Sequence, residues 1–132
     1  MAINFKKIAQ ENTVQCKIML GRTKLDTDEV VGKTCTVVGF DFAPKFDKDG
    51  APVVDETTGE VDKFGVIILA EFPDRYYNVG TVFSKVCKAW AAEYNGDAEA
   101  ASKDLAEQGG VAVKFVRGKT KAGNQLINVV IL

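Results

Sequence analysis

Residues 64–72 constrain the fold more than any other stretch. Phe64, Val66, Ile67, Ile68, Leu69, Ala70 and Phe72 make it apolar almost without interruption. Such continuity implies a strand buried on both faces, and so a central one. The next ten residues, 71–80, read as a link. Pro73 has no N–H and tends to end a ladder, and Gly80 tolerates backbone angles that other residues avoid. In a strand pair Tyr76 and Tyr77 point to opposite sides, so one of them is a candidate contact residue. A helix over 81–94 follows. Phe83, Cys87, Trp90 and Tyr94 recur at helical spacing, Val82, Val86 and Ala89 widen the stripe, and Lys85, Lys88 and Glu93 lie away from it.

The flanking segments read as smaller elements. Ile3, Phe5 and Ile8 anchor a weak first element, and residues 16–20 read as a short strand ending at Gly21. Asp26 or Thr27, with Glu29, has the spacing of a capping box for a helix that Gly32 cuts short. Residues 34–42 form a strong β-branched and aromatic strand. Strict alternation places Thr36, Val38, Phe40 and Phe42 on one face, and Gly39 marks a bulge or bend. Residues 43–63 are a polar excursion with turn signals at Asp49-Gly50 and Thr58-Gly59, an acidic hairpin. Asp97 caps a second helix over 98–108, whose thin apolar face is Ala98, Ala101 and Leu105. A closing hairpin pairs residues 111–116 with 125–132 through the basic turn Lys119–Asn124.

The 132 residues, 46% apolar and 27% charged, suit one globular domain with its own core. No apolar run approaches the roughly 20 residues of a membrane helix. No long apolar stretch follows Lys6 and Lys7, so a secretory signal is not expected. A cytoplasmic protein without membrane contact is the expectation. There is no histidine, which excludes Cys–His and ordinary serine-triad chemistry. Cys16, Cys35 and Cys87 match no zinc spacing and read as small buried hydrophobes. Asp47, Asp49 and Gly50 lack the third ligand of a calcium loop. No catalytic constellation, metal site or cofactor motif is expected.

Net charge is −1, but the charge is segregated. Lys6, Lys7, Lys17, Arg22 and Lys24 crowd the first 24 residues, and Lys114, Arg117, Lys119 and Lys121 crowd the last hairpin. Asp47, Asp49, Asp55, Glu56, Glu60 and Asp62 fill the excursion between them. The element order, mostly antiparallel strands with helices inserted before the C-terminal hairpin, suggests a mainly β domain over 1–132. An OB-like β-barrel is the expected fold. Such a groove takes single-stranded nucleic acid by aromatic stacking and phosphate contact. The candidate stacking residues are Phe42, Phe46, Tyr76 and Tyr77. The candidate phosphate contacts are Arg22, Lys24, Lys45, Arg75, Lys114, Arg117, Lys119 and Lys121.

The closing stretch from Lys114 through Arg117, Gly118, Lys119, Lys121 and Gly123 to Leu126 resembles the terminal hairpin of small phage and mobile-element proteins related to single-stranded DNA-binding proteins. Val38-Gly39-Phe40-Asp41-Phe42, ahead of Phe72, Tyr76, Tyr77 and a Gly80-led helix, resembles them too. The resemblance covers about half the chain and implies an OB-like fold, single-stranded DNA as partner, and a role in phage replication or recombination in a bacterial host. Replication proteins of the phage or host, and further copies of the chain, are implied partners. The alternative is a protein–protein module, a phage structural component or a DNA-mimicking inhibitor of a host enzyme. The acidic hairpin favours that alternative.

Overall fold

The computed structural model describes residues 5, 16–119, 123 and 125–132. Most of the expected first element, with Ile3 and Ile8, and most of the basic turn, with Lys121, lie outside them. Six strands, β1 (Thr23–Lys24), β2 (Thr34–Pro44), β3 (Lys63–Leu69), β4 (Phe72–Asn78), β5 (Val111–Lys119) and β6 (Gln125–Ile131), form one sheet in the order β1-β4-β3-β2-β5-β6. Only β1 and β4 run parallel; the other pairs are antiparallel. Among the described residues, helices α1 (Thr27–Val30), α2 (Thr81–Ala92) and α3 (Ala98–Glu107) accompany the sheet. The domain is therefore mainly β, with α2 and α3 inserted before the closing hairpin. β2, β3 and β4 form a meander, and β5 returns through the helices to lie beside β2, a Greek-key order.

Two of the expected elements are corrected. Residues 16–20 are not a strand: Lys17–Met19 form a 3-10 turn. Residues 71–80 are more than a link, because the chain reverses at Ala70-Glu71 and returns as β4. Pro73 does interrupt the ladder. Leu69 pairs with Phe72 and Ile67 with Tyr77, so residues 73–76 bow away from β3. Arg75 and Tyr76, within that bow, pair with β1 instead.

The central strand is β2, and a bulge divides its labour. Its first half pairs with β5 and its second with β3, with a register shift between Val37 and Gly39. The extra residue puts Val37 and Phe40 on the same face, which overturns the strict alternation expected for residues 34–42. Beyond the bulge β5 no longer follows, and the edge of β2 has no neighbouring strand at Phe40. Ser102 of α3 takes over. Its Oγ accepts from Phe40 N–H at 3.0 Å and donates to Phe40 O at 2.9 Å. One hydroxyl thus satisfies both groups that a neighbouring strand would have paired.

The sheet curls without closing. In a flat sheet β4 and β5, three steps apart, would lie about 14 Å from each other. Yet Tyr77 and Phe115 meet edge to face with ring centroids 5.1 Å apart. The gap between them is filled by the segment around α1. Leu25 N–H bonds to Tyr76 O and Gly32 N–H to Phe115 O, both at 2.8 Å. Leu25 and Val30 are buried beneath. Glu29 accepts Asp26 N–H at 2.8 Å, the reciprocal half of the expected capping box.

The main core gathers Val37, Phe40, Ile67, Leu69, Tyr77, Val113 and Phe115 with Phe83, Cys87 and Ala91 of α2. A second cluster, Cys16, Ala43 and Val66 with Ile18, Met19, Phe64 and Tyr76, covers the other face of β2 and β3. That is why β3 carries no polar side chain after Lys63. Val82 and Ala89 are exposed and do not widen the α2 stripe; Ser84 takes a place in it. Ser84 Oγ accepts Gly65 N–H at 2.8 Å, where α2 crosses β3. A Cβ on Gly65 would lie 2.9 Å from Val79 Cγ2, 3.2 Å from Cys87 Sγ and 3.3 Å from Ser84 Cα. Gly65→Ala is expected to lower stability by about 1–3 kcal/mol through overpacking, read as a lower urea midpoint at unchanged slope.

Candidate nucleic-acid interface

A groove lies where β2 and β3 run out beneath α2 and α3. Three adjoining clefts of about 470, 760 and 320 Å³, each lined in part by Lys63, are its lobes. Its first lobe lies between Arg22 and the start of α3, over Phe40, Asp41 and Phe42. The middle lobe has Phe42, Lys63 and Lys88 against Asp55, Glu60 and Asp62 of the acidic hairpin. The third lies at the start of α2, lined by Lys45, Lys63, Lys85 and Lys88, with Asp62 the one carboxylate.

The groove as a whole is not basic. Asp41, Asp97 and Glu99 line the first lobe, so positive charge dominates only in the third. There α2 begins at Gly80 with no side-chain cap and no acid in its first turn, an arrangement that favours anions. Among the described residues Lys63, Lys85 and Lys88 make no salt bridge. Lys85 and Lys88, three apart on α2, share a face. Phe42 marks the junction of the first two lobes. Half-buried, it packs edge to face on Phe40 with centroids 6.0 Å apart.

Of the residues expected from the sequence, Arg22, Phe42 and Lys45 line this groove. Arg22 is also fixed by the chain around it, donating to Pro73 O and Ile18 O at 3.0 Å. Lys45 pairs with Asp62 at 3.1 Å. Phe46 is exposed within the hairpin, bridged to Pro52.

The cluster Arg75-Tyr76-Tyr77 has other employment. Arg75 donates to both Glu29 oxygens, at 3.2 and 2.9 Å, and to Lys24 O at 2.7 Å. That contact holds the Glu29 carboxyl below its ordinary range. Tyr77 is core, and burial raises its phenol pKa. Tyr76 belongs to the second cluster. Arg117 pairs with Asp28 at 3.1 Å, so adjacent acids of α1 reach both sides of the gap between β4 and β5. Lys24 and Lys114 are exposed but do not line the groove. Lys119 closes the β5–β6 ladder opposite Gln125, and Lys121 lies outside the described residues.

Lys63, Lys85 and Lys88 are the groove residues that the sequence reading missed. Each looks like an ordinary solvated lysine in its own element, and only the crossing of α2 over β3 brings them together. Among the described residues no group of three His, Cys, Asp or Glu side chains is placed to hold a metal ion. No helix among them is long and apolar enough to cross a membrane. Searches of protein-family models, curated proteins and solved structures returned no match to this chain.

The three cysteines are buried and unpaired. Burial pushes the Cys16 and Cys87 thiols up to about 12 and raises that of Cys35. At pH 8 the folded protein should therefore stay silent to a thiol-disulfide reagent such as DTNB, with all three cysteines reacting in guanidinium. Arg75→Ala is expected to lower stability, since it removes the bonds to Glu29 and to Lys24 O, read as a lower urea midpoint at unchanged slope.

Proposed function

We propose that this chain is a non-enzymatic single-stranded DNA-binding protein on a partly open, OB-like barrel. It acts in phage or mobile-element replication or recombination. The observation that carries the reading is the convergence of four lysines from three parts of the chain on one cleft. That cleft continues past Lys63 to the ring of Phe42. Phosphates take the lysines, and a base takes the ring. The Greek-key order of β2 to β5, with β6 beside β5, supports the barrel, since the OB fold is a five-stranded, partly open Greek-key barrel that binds oligonucleotides. In this reading the loop joining its first two main strands is the acidic hairpin, and the basic turn joins its last two. The phage assignment rests on the sequence resemblance.

A strand bound this way contacts a short basic lobe and one aromatic ring, so its affinity is modest and strongly salt-dependent. The test is fluorescence anisotropy with a labelled oligo-dT of about 30 nucleotides, duplex DNA being the control. Lys63→Ala and Lys88→Ala should each weaken binding and reduce the salt slope by about one. Phe42→Ala should lose about 1–3 kcal/mol if one base stacks. Arg75→Ala, once shown folded, should bind as the native chain does. No binding of the native chain at low salt rejects the reading. A basic protein co-purifying at fixed stoichiometry without DNA would then support the alternative, in which the acidic hairpin imitates nucleic acid.

A further inference from the structure

The acidic hairpin is built into the groove. Lys45 N–H bonds to Asp62 O at 2.9 Å, Asp62 N–H to Val53 O at 2.7 Å, and Val53 N–H to Lys45 O at 2.8 Å. This clasp fixes the base of the hairpin through backbone groups alone. Its two turns are fixed by aspartates: Asp47 Oδ1 accepts the N–H groups of Asp49 and Ala51, and Asp55 Oδ1 accepts those of Thr57 and Thr58. So anchored, the hairpin presents Asp55, Glu60 and Asp62 as one wall of the middle lobe, against Lys63 and Lys88. Asp62 goes further and pairs with Lys45, a cation of the phosphate cleft, at 3.1 Å. That pairing, with the weaker field of Lys88, lowers the Asp62 carboxyl below its usual range.

Resting on the proposed function, we infer that the acidic hairpin is an intramolecular competitor of the DNA phosphates. In the free protein Asp62 occupies Lys45, and Asp55 and Glu60 set a negative wall across from Lys63 and Lys88. A phosphate entering the cleft displaces the Asp62 carboxylate and takes its cation, so one ion pair is exchanged for another. The carboxylates Asp49 and Glu56, on the same hairpin, line none of the three lobes. The competition is therefore local and separable from net charge. It also predicts a salt dependence shallower than the four lysines alone would give, because a lysine already neutralised by a carboxylate releases less counterion on binding.

Two double variants of equal charge separate the ideas. Glu60→Gln with Asp62→Asn removes the competitor, and Asp49→Asn with Glu56→Gln removes the same charge away from the groove. All four side chains are at least partly exposed, and circular dichroism and thermal melts confirm folding. Oligo-dT anisotropy is then measured across a salt series for both variants and the native chain. The groove variant should bind about tenfold more tightly, with a salt slope steeper by about one. The control variant should shift affinity by less than about twofold, because exposed charges outside the groove are screened. Equal tightening by both variants overturns the competitor and leaves the DNA-binding reading standing. No binding by any of the three proteins overturns both.

Discussion

The bulge between Val37 and Gly39 is the constraint on which the rest of the structure depends. It lets one strand serve two partners, β5 before it and β3 after it. It turns Val37 and Phe40 to the same core. It also ends the β2–β5 ladder early and leaves the backbone of Phe40 in need of partners. An unpaired buried N–H or C=O costs about 1–3 kcal/mol, and Ser102 removes that cost for two groups at once. α3 therefore stands where it does because β2 bends. The first lobe of the groove, between the start of α3 and Phe42, exists because the strand and the helix part company there.

The curl of the open sheet follows a similar logic. The curl of the sheet brings β4 and β5 close enough for Tyr77 and Phe115 to touch, but no strand pairs the two. α1 and its flanks fill the gap with backbone bonds, two buried side chains and two ion pairs. Exposed ion pairs contribute little individually, about 0–1 kcal/mol, so Arg117 and Asp28 add little. Arg75, less exposed and doubly bonded to Glu29, carries more of that junction.

The regular parts of the fold were legible in the sequence because each follows from local chemistry. The apolar run of β3, the helix starts at Gly80 and Asp97 and the turns of the acidic hairpin all obey nearest-neighbour rules. What escaped was set by partners distant in sequence. β4 was hidden by Pro73, whose missing N–H reads as a strand ending and here marks a bow within a hairpin. Arg75 beside two tyrosines reads as a nucleic-acid contact by residue type, and sequence alone does not show that Glu29 lies opposite. Lys63, Lys85 and Lys88 were unremarkable where they stood. Arg22, Phe42 and Lys45 line the groove, yet their sequence signal is one of residue type and not of position.

The bond between Ser102 and Phe40 has a kinetic side. It joins residues 62 positions apart, whereas the hairpin of β3 and β4 is closed by two residues. Local contacts form early, and distant ones wait for the entropy of loop closure to be overcome. The meander of β2, β3 and β4 can assemble first. The second half of β2 then keeps a bare edge until α3 arrives to cover it. During that interval the chain displays an open strand edge of the kind that pairs with other chains. The hydroxyl of Ser102 is thus a late-arriving guard. With that order of assembly, the speed with which α2 and α3 fold onto the meander would set how long the edge stays open.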